Sequence, residues 1–471
     1  MKLKCEKRCV KKSILISILT ALTLFTFGCV PPETSNANVN VNVNSALVNS
    51  NTSTVAVEKN KESDMKMPVT LPVLDAMFAD ENFADDLKSK VQLSDEEIDK
   101  IKKTARDAVK NLSGDESEND SRSTRAATER AGTQIREIVG DEKAAKLFDF
   151  VQQRWSGGGD EANNSAVNNS SEVNGIPTDT RIVVNAPAYR MDLFQDGKLT
   201  KSYKIGIGYP EFPLPSGMRQ AKTIIFNPTW TPPDEPWVKG KVEAGKTIEA
   251  GSKDNPLGPI KIPIGLPSLI HGGKSAAKLG GFASHGCVGL TNSQIQDFAL
   301  NLAKMSGIDL TQKEILDYEK QKTETKNVSL EKSIPVELRY ETIVVEDGKL
   351  NIYRDVYERG TNTEENLRKV LEKYGVSFDS LSEKDRDNIL KGLKQMAYNA
   401  KGESVSEPND NSNTGNSNMN SKSDNENAKN KDSKKDDGEV TRIIKGKKEV
   451  SFELAELKGK GYPKPVDMSQ K

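Results

Sequence analysis

The residues best suited to covalent chemistry lie in one glycine-rich stretch between Ile270 and Asn292. This stretch contains both histidines of the 471-residue chain, His271 and His285, together with Cys287. A cysteine attacks as a thiolate, and its ordinary pKa of about 8.5 leaves little thiolate at neutral pH unless a nearby imidazole takes the proton. The pattern therefore predicts a cysteine nucleophile with a histidine as its general base.

Either histidine is a candidate base for Cys287. His285 precedes it by two residues, so a strand would put both side chains on one face, whereas a tight turn would not. His271 lies a loop away, and only folding can bring it close. Gly286 and Gly289 leave backbone N–H groups uncrowded near the sulfur, and such donors could form an oxyanion hole.

Two other interpretations of these residues stay open. A free cysteine is commonly buried and inert. A Cys/His/His set could also bind zinc, but no fourth ligand stands nearby at a familiar spacing, so we predict no metal ion and no cofactor. The grouping of both histidines around one cysteine favours the nucleophile.

The amino terminus is typical of an exported protein. Basic residues are frequent in residues 1–13, and the uncharged apolar run from Ile14 to Phe27 is too short for a comfortable membrane span. Cys29 follows a small residue, as in a lipobox, although the residues just before it depart from the usual pattern. We expect lipidation of Cys29; an uncleaved anchor or cleavage nearby is the alternative.

This interpretation leaves Cys287 without a disulfide partner. Of the four cysteines, Cys5 and Cys9 lie in the leader and Cys29 would carry the lipid as a thioether. A single unpaired thiol in an exported protein favours a reactive role over a structural one.

The motif resembles the L,D-transpeptidase catalytic domain, the YkuD-like fold. Ser284-His285-Gly286-Cys287 is followed by Val288 and Asn292 and preceded by Ile270-His271-Gly272. The resemblance covers roughly Pro177 to Ile308. Further landmarks in that domain's order are Arg181 to Arg190, Ile205 to Gly208, Pro213 to Gly217, Asn227 to Pro233 and Asn255 to Pro259.

The resemblance implies a β-rich domain, a mixed β sandwich with a short helix, that acts on peptidoglycan. Its thiolate attacks the bond between the third and fourth residues of a tetrapeptide stem, and the acyl-enzyme passes to an amine. By position, Cys287 is the nucleophile, His271 the base and the Gly272 carbonyl the group that orients the imidazole. The resemblance also implies that the backbone N–H groups of Gly286 and Cys287 bind the oxyanion and that Ser284 and His285 shape the pocket.

One departure from the family concerns the substrate. Many members carry arginine two residues after the cysteine, where it can meet a carboxylate, and this chain has Gly289. Lys274 and Lys278 could supply the charge instead, or they are solvated lysines. We predict that Lys274, Trp230 and Asn292 contact the substrate. The Trp230 ring could equally well cover the hydrophobic core instead.

Composition indicates that the folded part is smaller than the chain. The 68 Lys and Arg residues nearly balance the 69 Asp and Glu residues, so the chain has no overall positive charge that would favour binding to nucleic acid. Only 35% of residues are hydrophobic and the mean hydropathy is -0.64. We predict a multidomain chain: signal peptide 1–29, disordered tether 30–70, helical module 71–155, linker 156–176, catalytic domain 177–310, C-terminal α+β hairpin and helices 311–400, disordered linker 401–438 and tail 439–471.

Local signals support these assignments. A capping box at Ser94 and Glu97 opens an apolar pattern at helical spacing, and Gly140 interrupts a later one. Asp-Gly pairs at Asp196 and Asp347 predict hairpin turns. After Cys287, Asn292 or Ser293 is predicted to cap a helix. The apolar residues that recur at helical spacing in the helical module are expected to form its own core. A protein partner of this module is not defined by the sequence.

The function expected from these features is that of an L,D-transpeptidase anchored by lipid in the cell envelope and facing the periplasm or wall. Its partners would be peptidoglycan stem peptides and the membrane. One alternative is an L,D-carboxypeptidase that uses the same thiolate with water in place of the acceptor amine. Another is a non-catalytic peptidoglycan-binding lipoprotein.

Overall fold

A computed structural model of the protein describes residues 65–110, 123–157, 175–232, 242–243, 245–399, 444, 446–466 and 468. The predicted signal peptide, Cys29 and the disordered linker at 401–438 lie outside these residues. No helix within the described part of the chain is long and apolar enough to cross a membrane.

The described residues form helices at both ends of a central β-rich region. The α-helices are α1 (Leu71–Met77), α2 (Glu81–Lys90), α3 (Asp95–Lys110), α4 (Thr124–Gly157), α5 (Asn292–Ser306), α6 (Gln312–Lys320), α7 (Glu364–Lys373) and α8 (Glu383–Met396). The strands are β1 (Arg181–Asn185), β2 (Arg190–Gln195), β3 (Lys198–Lys204), β4 (Ile207–Gly208), β5 (Gly217–Phe226), β6 (Ile260–Pro263), β7 (Leu269–His271), β8 (Phe282–Ser284), β9 (Val288–Gly289), β10 (Lys326–Arg339), β11 (Ile343–Glu346), β12 (Lys349–Tyr353) and β13 (Glu449–Glu453).

The central region is an eight-stranded mixed sheet in the order β3-β2-β1-β10-β5-β6-β7-β9. Gly206, which lies just after β3, exchanges two backbone hydrogen bonds of 2.9 Å with Gly289 in β9. The two edges of the sheet therefore meet at this point, and the sheet curls. The β-rich domain expected from the sequence is confirmed in this form.

One face of the sheet packs against α5, and the opposite face carries the motif residues. Because successive side chains in a strand alternate between faces, Lys261, His271 and Gly289 lie on the face away from the α5 core. The core side chains of β6, β7, β9 and α5 include Ile260, Ile262, Ile270, Val288, Ile295, Phe298 and Leu302.

The predicted helical module is confirmed. α1 to α4 enclose their own core, which includes Phe83, Ile101 and Phe148. Ser94 Oγ accepts a hydrogen bond from Glu97 N at 3.2 Å, and the Glu97 carboxylate accepts from Ser94 N at 2.8 Å, which is the predicted capping box. Gly140, at φ 77°, joins two helical segments within α4, as its interruption of the apolar pattern indicated.

The C-terminal extension combines a three-stranded sheet, β11-β12-β13, with α7 and α8, so the predicted α+β character is also confirmed. Asp347 and Gly348 have φ values of 48° and 76°, as a two-residue hairpin turn requires. The sequence has a weak strand signal at 440–444, of which only Ile444 is described; the observed strand, β13, begins further along the chain at Glu449. Tyr462, further along the chain, packs on the central sheet, where its Oη donates to Asp192 Oδ2 at 3.1 Å.

Candidate active site

Cys287 lies in the tight turn between β8 and β9. Gly286 adopts φ 88°, a conformation that favours glycine, and this reverses the chain just before the cysteine. Ser284 Oγ accepts a hydrogen bond from Cys287 N at 3.0 Å and donates to Cys287 O at 2.5 Å. The Ser284 hydroxyl therefore closes the turn, and the Cys287 N–H, predicted as an oxyanion donor, is engaged with it here.

Strand register brings Cys287 to the segment that ends in His271. β7 and β9 are parallel, with Ile270 opposite Val288 and His271 opposite Gly289. Neighbouring strands lie about 4.8 Å apart, so the residue just before β9 is next to the start of β7. Consistent with this, the backbone N–H of Leu269 stabilises the Cys287 thiolate.

The imidazole of His271 is buried and held in one tautomer. Its Nδ1 is 2.8 Å from the Gly272 carbonyl oxygen, the orienting group expected from the sequence. A carbonyl only accepts hydrogen bonds, so Nδ1 carries the hydrogen and Nε2 of the neutral ring keeps its lone pair. Burial, reinforced by the charge of Lys274, lowers the pKa of His271 to about 3 despite the opposing hydrogen bonds to the backbone of Gly272 and Leu257. The ring is therefore an unprotonated base at neutral pH.

The thiol is also neutral in the resting site. Cys287 is partly exposed as a residue, but burial of its sulfur raises its pKa above the usual value. The Leu269 N–H and the charges of Lys274 and Lys261 oppose that rise without cancelling it. Because the thiol and the imidazole are both neutral at rest, the proton would have to pass from one to the other during attack rather than in a preformed ion pair.

The loop after His271 is fixed by the start of α5. Asn292 Oδ1 accepts a hydrogen bond from Gly273 N at 2.8 Å. A Cβ on Gly272 would lie 2.8 Å from Ile295 Cγ2, so the close approach of α5 requires glycine there. The predicted substrate residue Asn292 thus anchors the loop that carries the orienting carbonyl. The helix cap precedes both predicted positions, Asn292 and Ser293: Thr291 Oγ1 accepts from Gln294 N and completes a capping box.

His285 is directed toward a different part of the structure. Its ring packs edge-on against Tyr209 and Phe212, with centroids 5.1 and 4.9 Å away. Because Gly286 turns the chain between them, His285 and Cys287 do not share a strand face. Of the two candidate bases, His271 is the one that the sheet brings to the Cys287 face.

The loop that contacts His285 is held from outside the catalytic domain. Residues 209–215, between β4 and β5, are all buried. Thr124 Oγ1, at the start of α4, donates to Pro210 O at 2.8 Å, and Thr70 Oγ1, before α1, donates to Glu211 O at 2.7 Å. From the C-terminal extension, Tyr357 Oη donates to Gly208 O at 2.8 Å. No local sequence pattern predicts these contacts, because each joins residues that are distant in the chain.

Two lysines flank the His271 position. Lys274 passes over Gly289: a Cβ there would lie 2.8 Å from Lys274 Cγ and 3.1 Å from Cε. Lys261, which the sequence reasoning missed, is paired with His271 across β6 and β7. Its position between two isoleucines of a strand was the signal that it faces away from the core. Lys278, the other lysine considered, is exposed.

The remaining predicted substrate residue, Trp230, lies in the segment after β5. Its backbone pairs with Ile248 through hydrogen bonds of 3.0 and 2.7 Å, and its side chain is partly exposed. Among the described residues, no group of three or more His, Cys, Asp or Glu side chains is placed to hold a metal ion.

Comparison with known proteins matches the central region of the chain to one family. Residues 179–322 match the family model of the YkuD L,D-transpeptidase catalytic domain. The chain is 26% identical over 128 residues to YqjB of Bacillus subtilis (strain 168), which is named provisionally as an L,D-transpeptidase; the match covers 26% of this chain and 65% of YqjB.

Solved structures of L,D-transpeptidases also match part of this chain. The NMR structure of the catalytic domain from E. faecium L,D-transpeptidase is 19% identical, with 35% of this chain and 100% of that chain covered and a TM-score of 0.23. A crystal structure of an L,D-transpeptidase from Mycobacterium tuberculosis H37Rv is 14% identical, with 34% and 57% covered and a TM-score of 0.20. On the strength of the family-model match, residues 179–322 of this chain are a catalytic domain of the YkuD L,D-transpeptidase family.

Proposed function

We propose that the protein is an exported L,D-transpeptidase that forms peptidoglycan cross-links, or attaches proteins to the wall, through a Cys287 acyl-enzyme. The observation that carries this proposal is the β7–β9 register, which sets Cys287 beside the strand that ends in His271. The hydrogen bond from His271 Nδ1 to the Gly272 carbonyl supports it, because it leaves Nε2 as the proton acceptor.

In the acylation half-reaction, the Cys287 sulfur attacks the carbonyl carbon of the third residue of a tetrapeptide stem. The thiol proton passes to His271 Nε2, and the carbonyl oxygen becomes an oxyanion. The intermediate collapses as the bond to the fourth residue breaks, and the departing amine takes the proton from His271. The products are a thioester and a free D-amino acid.

The oxyanion would be stabilised by backbone N–H groups at Gly286 and Cys287. Because the Cys287 N–H already donates to Ser284 Oγ, the oxyanion must share or displace that bond.

In the second half-reaction, an acceptor amine attacks the thioester carbonyl carbon and gives a proton to His271. The C–S bond then breaks, and the sulfur recovers that proton as the thiol. If water attacks in place of the amine, the product is a tripeptide stem, and the protein is an L,D-carboxypeptidase. The two activities share every residue named above.

The test is to incubate the purified chain with a disaccharide tetrapeptide and to follow protein and products by mass spectrometry. We expect a covalent adduct on the wild type, none on Cys287→Ala, and a cross-linked dimer as product. A tripeptide without dimer would assign the carboxypeptidase. Failure of the wild type to form an adduct with either the stem or a carbapenem would leave a non-catalytic peptidoglycan-binding protein and overturn the proposal.

The proposal extends to location. An apolar run that ends at Cys29 supports export followed by lipid attachment, which would hold the enzyme at the membrane surface. We expect the mature protein to partition into detergent and Cys29→Ala to be released into the aqueous phase. A wild type found wholly in the aqueous phase would contradict the anchor while leaving the enzymatic proposal intact.

A further inference from the structure

A row of residues crosses three strands on the face that carries the catalytic pair. Lys261 in β6 is opposite His271 in β7, and His271 is opposite Gly289 in β9. Side chains directly opposite each other on neighbouring strands share a face and lie about 5 Å apart at Cβ. Gly289 has no side chain, and the aliphatic stem of Lys274 covers the space above it. His271 is therefore flanked by a lysine on each side.

Neither lysine has a counterion within the described part of the chain. Both are partly buried, and no hydrogen bond or ion pair joins either ammonium group to another described side chain. Burial lowers the pKa of both groups, and the group that opposes this in each case is Cys287. The charged group next to Lys274 is another cation, Lys278. Partly buried charges are normally paired, because removing an ion from water without a partner is costly.

The Cys287 sulfur does not supply the missing charge in the resting site. Burial keeps its thiol largely protonated at neutral pH, so two cations face a neutral nucleophile and a neutral base. An anionic group brought by a ligand would balance at least one of them. Because Lys261 is opposite His271 and the Lys274 stem covers Gly289, two residues after Cys287, a group that meets these lysines would lie close to the attacked bond.

We propose that Lys261 and Lys274 form a carboxylate-binding subsite beside Cys287, which selects acyl-donor peptides that carry a carboxylate within one residue of the bond that breaks. This inference rests on the proposed function and specifies its substrate. The two sources of such a carboxylate are the free C-terminus of the departing fourth residue and an acidic side chain on the third. The bound carboxylate would also offset the positive charge that His271 gains when it takes the thiol proton.

The experiment compares donor peptides that differ only in charge. One tetrapeptide has both carboxylates free, one is amidated at the C-terminus, and one is amidated on the side chain of the third residue. Acyl-enzyme formation is timed by intact-mass spectrometry for the wild type, Lys261→Met and Lys274→Met. We expect the wild type to react about ten-fold to a hundred-fold faster with the free acid than with one of the amides, as a charge-assisted contact implies. Each methionine variant should reduce that preference.

Lys278→Met is the matched control, because it removes a lysine that is exposed and lies in the same loop as Lys274. It should keep the preference for the free acid. Equal wild-type rates with all three peptides would overturn the subsite. Lysine variants that slow every peptide by the same factor would also overturn the subsite, because the lysines would then affect only the reactivity of the Cys287 thiol. Lys261→Arg and Lys274→Arg keep the charge and should retain the preference, which separates charge from folding.

A binding measurement separates this inference from the proposed function. Calorimetry with Cys287→Ala records the affinity for the free-acid and amidated peptides without any turnover. Tighter binding of the free acid that depends on Lys261 and Lys274 supports the subsite, even if the wild type forms no acyl-enzyme. An active wild type whose Cys287→Ala variant binds both forms equally contradicts the subsite and leaves the transpeptidase proposal standing.

Discussion

His271 lies directly opposite Gly289 in the parallel pairing of β7 and β9, and this relationship favours His271 over His285 as the proposed base for Cys287. Cys287 and Gly289 are two residues apart, as are Leu269 and His271, so the register sets the two pairs side by side on the face away from the α5 core. His285 is nearer in sequence but lies across the Gly286 turn, between Tyr209 and Phe212. Proximity in sequence and proximity in the fold therefore select different histidines.

The first prediction compares the two histidines as bases. His271→Gln should slow acylation of Cys287 by about 10² to 10⁴-fold, which is the usual contribution of a general base. His285→Gln removes a ring from an aromatic contact and should cost about tenfold or less. Stopped-flow or quenched mass spectrometry with a carbapenem measures both rates. Equal losses in the two variants, or a larger loss for His285→Gln, would transfer the base role to His285.

The second prediction concerns pH and follows from the pKa of His271, which burial lowers to about 3. An unfolded histidine titrates near 6.5, so below that pH the unfolded chain binds a proton that the folded site refuses. The stability contributed by keeping His271 neutral is present above pH 6.5 and is lost as the pH falls toward 3. Between pH 7.5 and 5, the wild type should lose about 2 kcal/mol more free energy of unfolding than His271→Gln does.

Urea unfolding at the two pH values measures this difference. Proton NMR gives a second readout, because the chain has only two histidines and each signal can be assigned by substitution. The His271 ring signals should not shift between pH 8 and 5. A His271 titration centred near 6.5 would contradict the buried neutral base.

The third prediction concerns the hydroxyl that closes the Cys287 turn. Ser284→Ala removes a donor to Cys287 O and an acceptor for Cys287 N, which should cost about 1 to 3 kcal/mol of stability. Acylation should also slow by about tenfold, because the turn that presents the sulfur is no longer fixed. Ser268→Ala is the matched control: Ser268 is equally buried, and its Oγ has no hydrogen-bond partner in the described structure. Equal effects of the two substitutions would show that the Ser284 bonds do not matter.

Much of this site could be anticipated from residue types and spacing. The positions of Cys287, His271 and Gly272 followed from the motif, and both Asp-Gly hairpin turns followed from turn chemistry that is local. The capping box at Ser94 and Glu97 was predictable for the same reason, although the predicted α5 cap, at Asn292 or Ser293, was misplaced. Thr291, rather than Asn292, accepts from Gln294 N, and Asn292 is directed to Gly273 instead.

Contacts that depend on the pairing of distant parts of the chain could not be predicted from the sequence. The sequence does not distinguish Lys261 as a site residue, because its place opposite His271 follows from the pairing of β6 with β7. The engagement of the Cys287 N–H by Ser284 depends on the shape of a turn that the glycine permits but does not dictate. The contacts from Thr70 and Thr124 join parts of the chain that carry no shared pattern, so only the assembled fold reveals them.

The last prediction assigns the helical module a role in positioning the site. Thr124 and Thr70 hold the carbonyls of Pro210 and Glu211, in the buried loop whose Phe212 ring packs on His285. Thr124→Val keeps the shape of the side chain but leaves a buried carbonyl without its donor, so it should destabilise the protein by about 1 to 3 kcal/mol. Because the aromatic ring then shifts over the imidazole, the His285 ring signals should move in the proton NMR spectrum, and acylation should slow several-fold.

The matched control for this prediction is Thr128→Val on the same helix. Thr128 Oγ1 donates to Arg125 O within α4, so its loss affects the module without touching the loop. The His271 signals should stay in place in both variants, since His271 is held by Gly272 and not by the module. If Thr124→Val loses stability while the His285 signals and the acylation rate match those of Thr128→Val, the module only covers the catalytic domain. If the signals move with the rate, helices that contain no histidine or cysteine help to set the geometry of a cysteine enzyme through one loop.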